Sequence, residues 1–238
     1  MARNIVVIGG GPAAVFAAIE AKKRDAAAAV TLVTDEACEP YEKPPLSKAV
    51  LLGKANPEDA PIAGPGGLTK HGVDVKLNTR CTAIDRAAHQ VVTTAGALPY
   101  DVLVIATGSS MRELPLLPPG MPRVHYLRTE AHARAIKAGL ASCKHLVVIG
   151  AGLIGLEAAA SAAALGIEVT VIEFAPRIMA RACDEETGAL ILAEERADLL
   201  PAAQPAIRAL VHRRRGERVL TAGRTLQRHV PICPHACP

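Results

Sequence analysis

The stretch Asn4 to Glu20, NIVVIGGGPAAVFAAIE, limits the fold more than any other. Ile5 to Ile8 reads as a short buried strand. Gly9, Gly10, Gly11 and Pro12 follow at once, and Ala13 to Lys23 is an alanine-rich helix. Strand, glycine turn and helix in that order give Gly9-x-Gly11-x-x-Ala14 the context in which G-x-G-x-x-G/A carries meaning. A side chain at Gly9 would obstruct the tight turn. One at Gly11 would keep the backbone from a pyrophosphate. Ala14 is small enough for the helix to lie close on the strand. A helix opening at Pro12 and Ala13 then turns free N–H groups and the positive end of its dipole toward phosphates. Val30 to Thr34 is the second strand of the unit. Asp35 stands at its end, at the spacing of the acid that holds a ribose hydroxyl, with Glu36 as the neighbouring candidate.

The pattern recurs 141 positions later. Leu146 to Ile149 is a strand, Gly150-x-Gly152-x-x-Gly155 opens a helix through Leu153 and Ile154, and Val169 to Ile172 is the next strand, ending at Glu173. An acid there accepts from a ribose 2′-OH and repels a 2′-phosphate, so NADH is expected over NADPH. Arg177 and Arg181 are either phosphate contacts or solvated surface charges. Leu146 to Leu165 has the length of a membrane span, but Glu157 lies in its middle, and the run reads as strand plus helix. The apolar run at the amino terminus is broken by glycines and a proline, so it does not read as a signal peptide.

Two further stretches carry a resemblance. Glu39 to Lys48 reads EPYEKPPLSK, and Tyr100 to Leu114 reads YDVLVIATGSSMREL. With the two fingerprints they resemble FAD-dependent pyridine-nucleotide reductases of the ferredoxin-reductase and rubredoxin-reductase type, the apoptosis-inducing-factor-like branch included. Those proteins carry motifs close to YxRPPLSK and YDxLVIATGxxPR. The resemblance implies an α/β fold with two Rossmann-like units, FAD first and NAD second, the second incomplete and a C-terminal interface domain absent. It implies that Lys43 and Lys48 lie beside the flavin, with Lys43 in place of the usual Arg. It places the backbone of Ala83 at the adenine, the tight turn Ala106-Thr107-Gly108 against the cofactor, Arg112 on flavin phosphate or ribityl, and Arg128 on the flavin side. It pairs Glu157 with Lys48 near the flavin ring, as the catalytic residues. A helix-surface acid is the other reading of Glu157.

The implied reaction passes hydride from NAD(P)H to FAD, and then electrons to a small iron–sulfur acceptor, a ferredoxin or rubredoxin. No CxxxxC motif is present, so disulfide reduction is not expected. The alternative is a truncated or frameshifted remnant that cannot complete the site.

Organisation and composition add limits. Val73 to Leu77, Ala83 to Asp85, Gln90 to Thr94 and Val102 to Ile105 read as strands, the last buried. The expected division is 1–115 for FAD, a linker at 116–122 (LLPPGMP), 123–196 for NAD, and a tail at 197–238. Aromatic residues are 2% of the chain, which leaves little for stacking on nucleic-acid bases. Scattered cysteines point to a reducing, cytoplasmic setting. Net charge is −1 through Arg196, while the tail holds seven arginines and two acids. Five prolines also interrupt the tail, so it is expected to be disordered, the product of a shifted reading frame or a recent truncation. His229, Cys233, His235 and Cys237 are crowded and proline-bound, and no metal site is expected there.

Overall fold

The computed structural model describes residues 2–197 and 207–211. The chain divides into two compact units, Met1–Ser142 and Cys143–Pro238.

In the first unit, β1 (Asn4–Ile8) runs into α1 (Pro12–Arg24), which returns to β2 (Ala29–Val33). β3 (Asp74–Lys76) and β7 (Val102–Ile105) complete a parallel sheet of order β3-β2-β1-β7. Ile5 pairs with Val30 on one side and Val102 on the other. β1 is therefore central and must be apolar on both faces. Ile5 and Val7 pack against Val15, Ala18 and Ile19 of α1, while Val6 and Ile8 face Val33 and Val91. The alanines of α1 let it lie close, and burying Val15 and Ile19 contributes about 1.5–3 kcal/mol each. A separate antiparallel meander holds β4 (Cys81–Asp85), β5 (Gln90–Thr93) and β6 (Gly96–Pro99).

Several expectations are corrected. β7 is an edge strand rather than a buried one, with Val102 40% and Ile105 63% exposed. β6 was not expected, because Gly96 and Pro99 are poor strand formers. The unit boundary lies after Ser142, not at 116–122. The Tyr126 hydroxyl accepts from Leu114 N and donates to Leu117 O, both at 2.8 Å, and so closes the Pro-rich loop on itself. The chain then packs Leu127, just before α2 (Glu130–Leu140), and Ala133 within it against Tyr41, Leu46 and Val50. Residues 123–142 thus belong to the first unit.

In the second unit, β8 (His145–Ile149), α3 (Leu153–Ala164) and β9 (Glu168–Glu173) repeat the strand–turn–helix–strand order, followed by α4 (Glu185–Ala197). β10 (Ile207–Val211) pairs in parallel with β9, Ile207 opposite Val169, giving the order β10-β9-β8. This corrects the expectation of a wholly unstructured tail. The pentapeptide lies between Pro205 and Pro231 in a stretch free of proline, and the β9 edge offers it a backbone ladder. The remaining tail residues, His229, Cys233, His235 and Cys237 among them, lie outside the described residues. Among the described residues, no helix is long and apolar enough to cross a membrane.

Candidate functional site

The carboxyl ends of β1, β2 and β7 carry the first cluster. Gly9 has φ +130°, and a Cβ there would lie 2.2 Å from Ala106 O. Gly9 N donates to Val33 O and Ala106 N to Ile8 O, each at 2.8 Å. The turn is thus gripped between neighbouring strands. A Cβ on Gly10 would come within 2.7 Å of Thr34 Oγ1. Gly11 is different. It caps α1 at φ −96° and ψ 178°, extended backbone open to any residue, and a Cβ there would meet nothing within 4 Å. No side chain caps α1, Pro12 and Ala13 are exposed, and Ala14 is fully buried. Among the described residues, no side chain accepts from the free N–H groups of this helix N-terminus.

The acids beyond β2 part company. Asp35 is exposed, with Arg80 Nη1 at 3.6 Å. Glu36 turns into the fold. It accepts from Tyr41 Oη at 2.6 Å and from Lys43 Nζ at 2.8 Å. Tyr41 Oη also accepts from Glu130 N at 2.6 Å, which ties β2, the PPLS turn and the start of α2 together. Burial and the Glu36 carboxylate hold the Tyr41 hydroxyl well above the usual range. Lys43, expected beside a flavin, spends its ammonium on Glu36 and lies 4.6 Å from the Tyr41 ring centroid. The hub role of Tyr41 was not expected. Its sequence signal was a tyrosine set among four acids in a proline-rich segment of a chain with three tyrosines.

The other expected residues of this unit fall in three places. Lys48 ends the short 3-10 turn Pro44–Ser47, and its Nζ donates to Pro44 O at 3.2 Å. Beyond β7, Ala106, Thr107 and Gly108 turn at Gly108 φ +66°, and Arg128 Nη2 lies 3.5 Å from where a Gly108 Cβ would be. Arg128 thus lies over that turn, and Arg112 is exposed further along the same segment. Ala83 is exposed on the β4 meander beside a register shift at Cys81.

The second cluster has its own geometry. Gly150 has φ +104°, its N donates to Ile172 O at 2.7 Å, and a Cβ would meet nothing within 4 Å. Gly152 caps α3 at φ −83° and ψ −179°, again with open space and no side-chain cap. Gly155 is needed for contact, since a Cβ would lie 2.0 Å from Gly150 O. Glu173 reaches across the turn. Its carboxylate accepts from Ala151 N at 2.6 Å and from Ala175 N at 2.7 Å. Leu153 and Ile154 are 61% and 53% exposed, Glu157 is half-buried on α3, and Arg181 is exposed.

Residues 3–198 match the pyridine nucleotide-disulphide oxidoreductase family. The chain is 42% identical over 180 residues to rhodocoxin reductase of Rhodococcus erythropolis, covering 75% of this chain and 42% of that protein. It is 34% identical over 195 residues to the rubredoxin-NAD(+) reductase of Pseudomonas putida, covering 82% and 51%. In fold it is similar to the reductase in the covalent putidaredoxin reductase–putidaredoxin complex, with TM-score 0.75, 34% identity and 87% and 49% coverage. A ferredoxin reductase of Rhodopseudomonas palustris gives TM-score 0.75 at 31% identity, covering 91% and 54%. The chain spans about half the length of the curated relatives it matches. Two parallel units opening on glycine turns, and a match running through both, establish that the chain belongs to the pyridine nucleotide-disulphide oxidoreductase family.

Proposed function

We propose that the first unit binds FAD and the second NADH, and that the protein is an oxidoreductase serving a ferredoxin- or rubredoxin-like iron–sulfur acceptor. One observation carries the nucleotide assignment. Gly11 and Gly152 have backbone conformations that any residue adopts, and a Cβ at either would meet nothing. Among the described residues nothing calls for glycine at either position, so a ligand lying against the backbone is the reason we assign. The names of the relatives, reductases of rhodocoxin, rubredoxin and ferredoxin, support the acceptor class.

In this reading the N–H groups opening α1 and α3 hold pyrophosphates. Gly9, Pro12, Ala13, Ala14 and the Ala106–Gly108 turn shape the first site, with Asp35 as ribose acceptor and Arg112 and Arg128 as charged contacts. Gly150, Leu153, Ile154 and Gly155 shape the second, with Arg181 at its rim. Glu173 sets NADH over NADPH, because a fixed carboxylate repels a 2′-phosphate. Bound FAD supplies the conversion of hydride to single electrons. Lys48 of the first unit and Glu157 of the second are the proposed catalytic residues. Cys38, Cys81, Cys143 and Cys183 are free thiols, which supports a reducing, cytoplasmic setting.

The test uses Gly11→Val and Gly152→Val. Both are expected to leave folding intact, because a Cβ at either position meets nothing within 4 Å and the backbone there is extended. Gly11→Val abolishes retention of flavin absorbance, and Gly152→Val abolishes NADH binding by fluorescence titration. Flavin content equal to the parent's in Gly11→Val, or a parent that takes up no flavin, defeats the assignment.

A further inference from the structure

The loop after β9 is closed by one side chain. Arg177 Nη1 donates to Asp184 O at 3.1 Å and to Ile178 O at 3.5 Å, and Nη2 donates to Cys183 O at 2.7 Å and Ala180 O at 3.3 Å. One planar guanidinium thus satisfies four carbonyls across eight residues, which a single ammonium nitrogen cannot span. Gly188, in the first turns of α4, stands close by. A Cβ there would lie 3.4 Å from Arg177 Nη1.

Within the closed loop Met179 takes φ +52°, the left-handed region that non-glycine residues rarely hold. Ala182 N and Cys183 N both donate back to Met179 O, at 2.8 and 3.1 Å. Met179 N in turn donates to Ala151 O at 2.9 Å. Ala151 is the middle residue of Gly150-x-Gly152, and its N–H is already held by Glu173. Both backbone groups of that residue are therefore tied, the N–H to the end of β9 and the carbonyl to the loop that follows it.

We infer that Arg177 is a positioning residue for the second nucleotide site, acting through Met179 on Ala151 to hold the glycine turn in shape before a nucleotide arrives. This rests on the reading of the second turn as a dinucleotide site. The sequence allowed Arg177 as a phosphate contact. The geometry spends its donors on the loop, so its effect on affinity comes from turn shape rather than from charge. Without the guanidinium, Met179 relaxes to negative φ, Ala151 O loses its partner, and binding must include the cost of ordering the turn.

The experiment compares Arg177→Ala and Arg177→Lys with the parent, all at a temperature where each is folded by circular dichroism. Two quantities are read: amide exchange at Ala151 and Met179 in the free protein, and the Kd for NADH by fluorescence titration. The expected result is faster exchange at both amides and about tenfold weaker NADH binding in both variants, the weight of roughly one backbone hydrogen bond. Full affinity in Arg177→Lys with loss in Arg177→Ala makes Arg177 a charge contact and overturns the inference. So does a lowered unfolding midpoint with unchanged Kd, which marks a merely structural clip. A parent that takes no NADH overturns the nucleotide reading, and the purpose of the clip with it. Exchange that neither substitution accelerates overturns the clip and leaves the nucleotide reading standing.

Discussion

Gly9 and Gly150 hold the same place in the same kind of turn, at φ +130° and +104°, yet their surroundings differ. A methyl group on Gly9 would strike Ala106 O at 2.2 Å, while one on Gly150 would meet nothing within 4 Å. The first turn lies between β2 and β7 and is shaped by the strand beside it. The second has one described neighbour, β9, and is shaped by side chain and loop, through Glu173 and Met179. The middle residues follow suit. Gly10 has no room for a Cβ beside Thr34, whereas Ala151 fits buried because Glu173 approaches it through the amide. The helix contacts invert the relation. The first unit accommodates the methyl of Ala14, while the second brings α3 so near that a Gly155 Cβ would lie 2.0 Å from Gly150 O. One motif is thus stabilised in two ways, and the glycines within it are required for different reasons.

The largest effects should expose that difference. Gly9→Ala combines a backbone clash with a conformation that is nearly glycine-only, and should cost the first unit more than about 3 kcal/mol. Gly150→Ala carries conformational strain alone and should cost about 1–3 kcal/mol. Gly155→Ala should match Gly9→Ala in severity, because the obstructing atom is backbone. Denaturant unfolding of the three variants orders them. Equal costs for Gly9→Ala and Gly150→Ala would show that β7 does not grip the first turn.

Next comes the hub that only the first unit has. Tyr41→Phe leaves Glu130 N without its acceptor and Glu36 with Lys43 alone. It should cost about 1–3 kcal/mol, the penalty of an unmade buried hydrogen bond. The pH dependence sharpens this. Tyr41 is raised by burial and by Glu36, so its folded value lies above its unfolded one. The stabilisation that it contributes is complete below about pH 10, where the unfolded tyrosine still holds its proton. It is lost as pH rises further, because the unfolded chain releases that proton first. Unfolding midpoints measured from neutral pH upward should fall more steeply in the parent than in Tyr41→Phe. Parallel curves would mean that the hydroxyl titrates normally.

What the sequence revealed was local. Strand, glycine turn and helix follow within seventeen residues, and their periodicity and turn chemistry fix both units in place without tertiary information. What it hid depends on distant partners. Tyr41 meets Glu130 N across 89 positions, which no local pattern reports. β6 contains Gly96 and Pro99 and becomes a strand only through its pairing with β5. β10 gave no signal amid the arginines and prolines around it, and exists by pairing with β9. The VLVI run of β7 is apolar throughout, but apolarity does not tell an edge strand from a central one. Prolines mark linkers in a sequence, and LLPPGMP has that composition. The Tyr126 hydroxyl makes that loop a surface excursion of the first unit instead.

The smallest effect concerns the acid that shapes the second turn. Glu173→Gln keeps the side chain's size and one acceptor oxygen but replaces the other with a donor, which cannot accept from an N–H. The parent carboxylate serves Ala151 N and Ala175 N at once, so the amide must give up one. The tie to Ala151 closes the turn and should persist, while Ala175 N turns to water. Stability should then fall by about 1 kcal/mol. Because the turn keeps its shape, NADH binding should change little. Removing the negative charge should relieve the repulsion of a 2′-phosphate, so that the ratio of NADPH to NADH affinity rises severalfold, within about tenfold. Fluorescence titration with both nucleotides reads the ratio directly. A fall in NADH affinity as large as that from breaking the Arg177 clip would mean that Ala151, rather than Ala175, had lost its partner. An unchanged ratio would mean that the Glu173 charge does not reach the ribose.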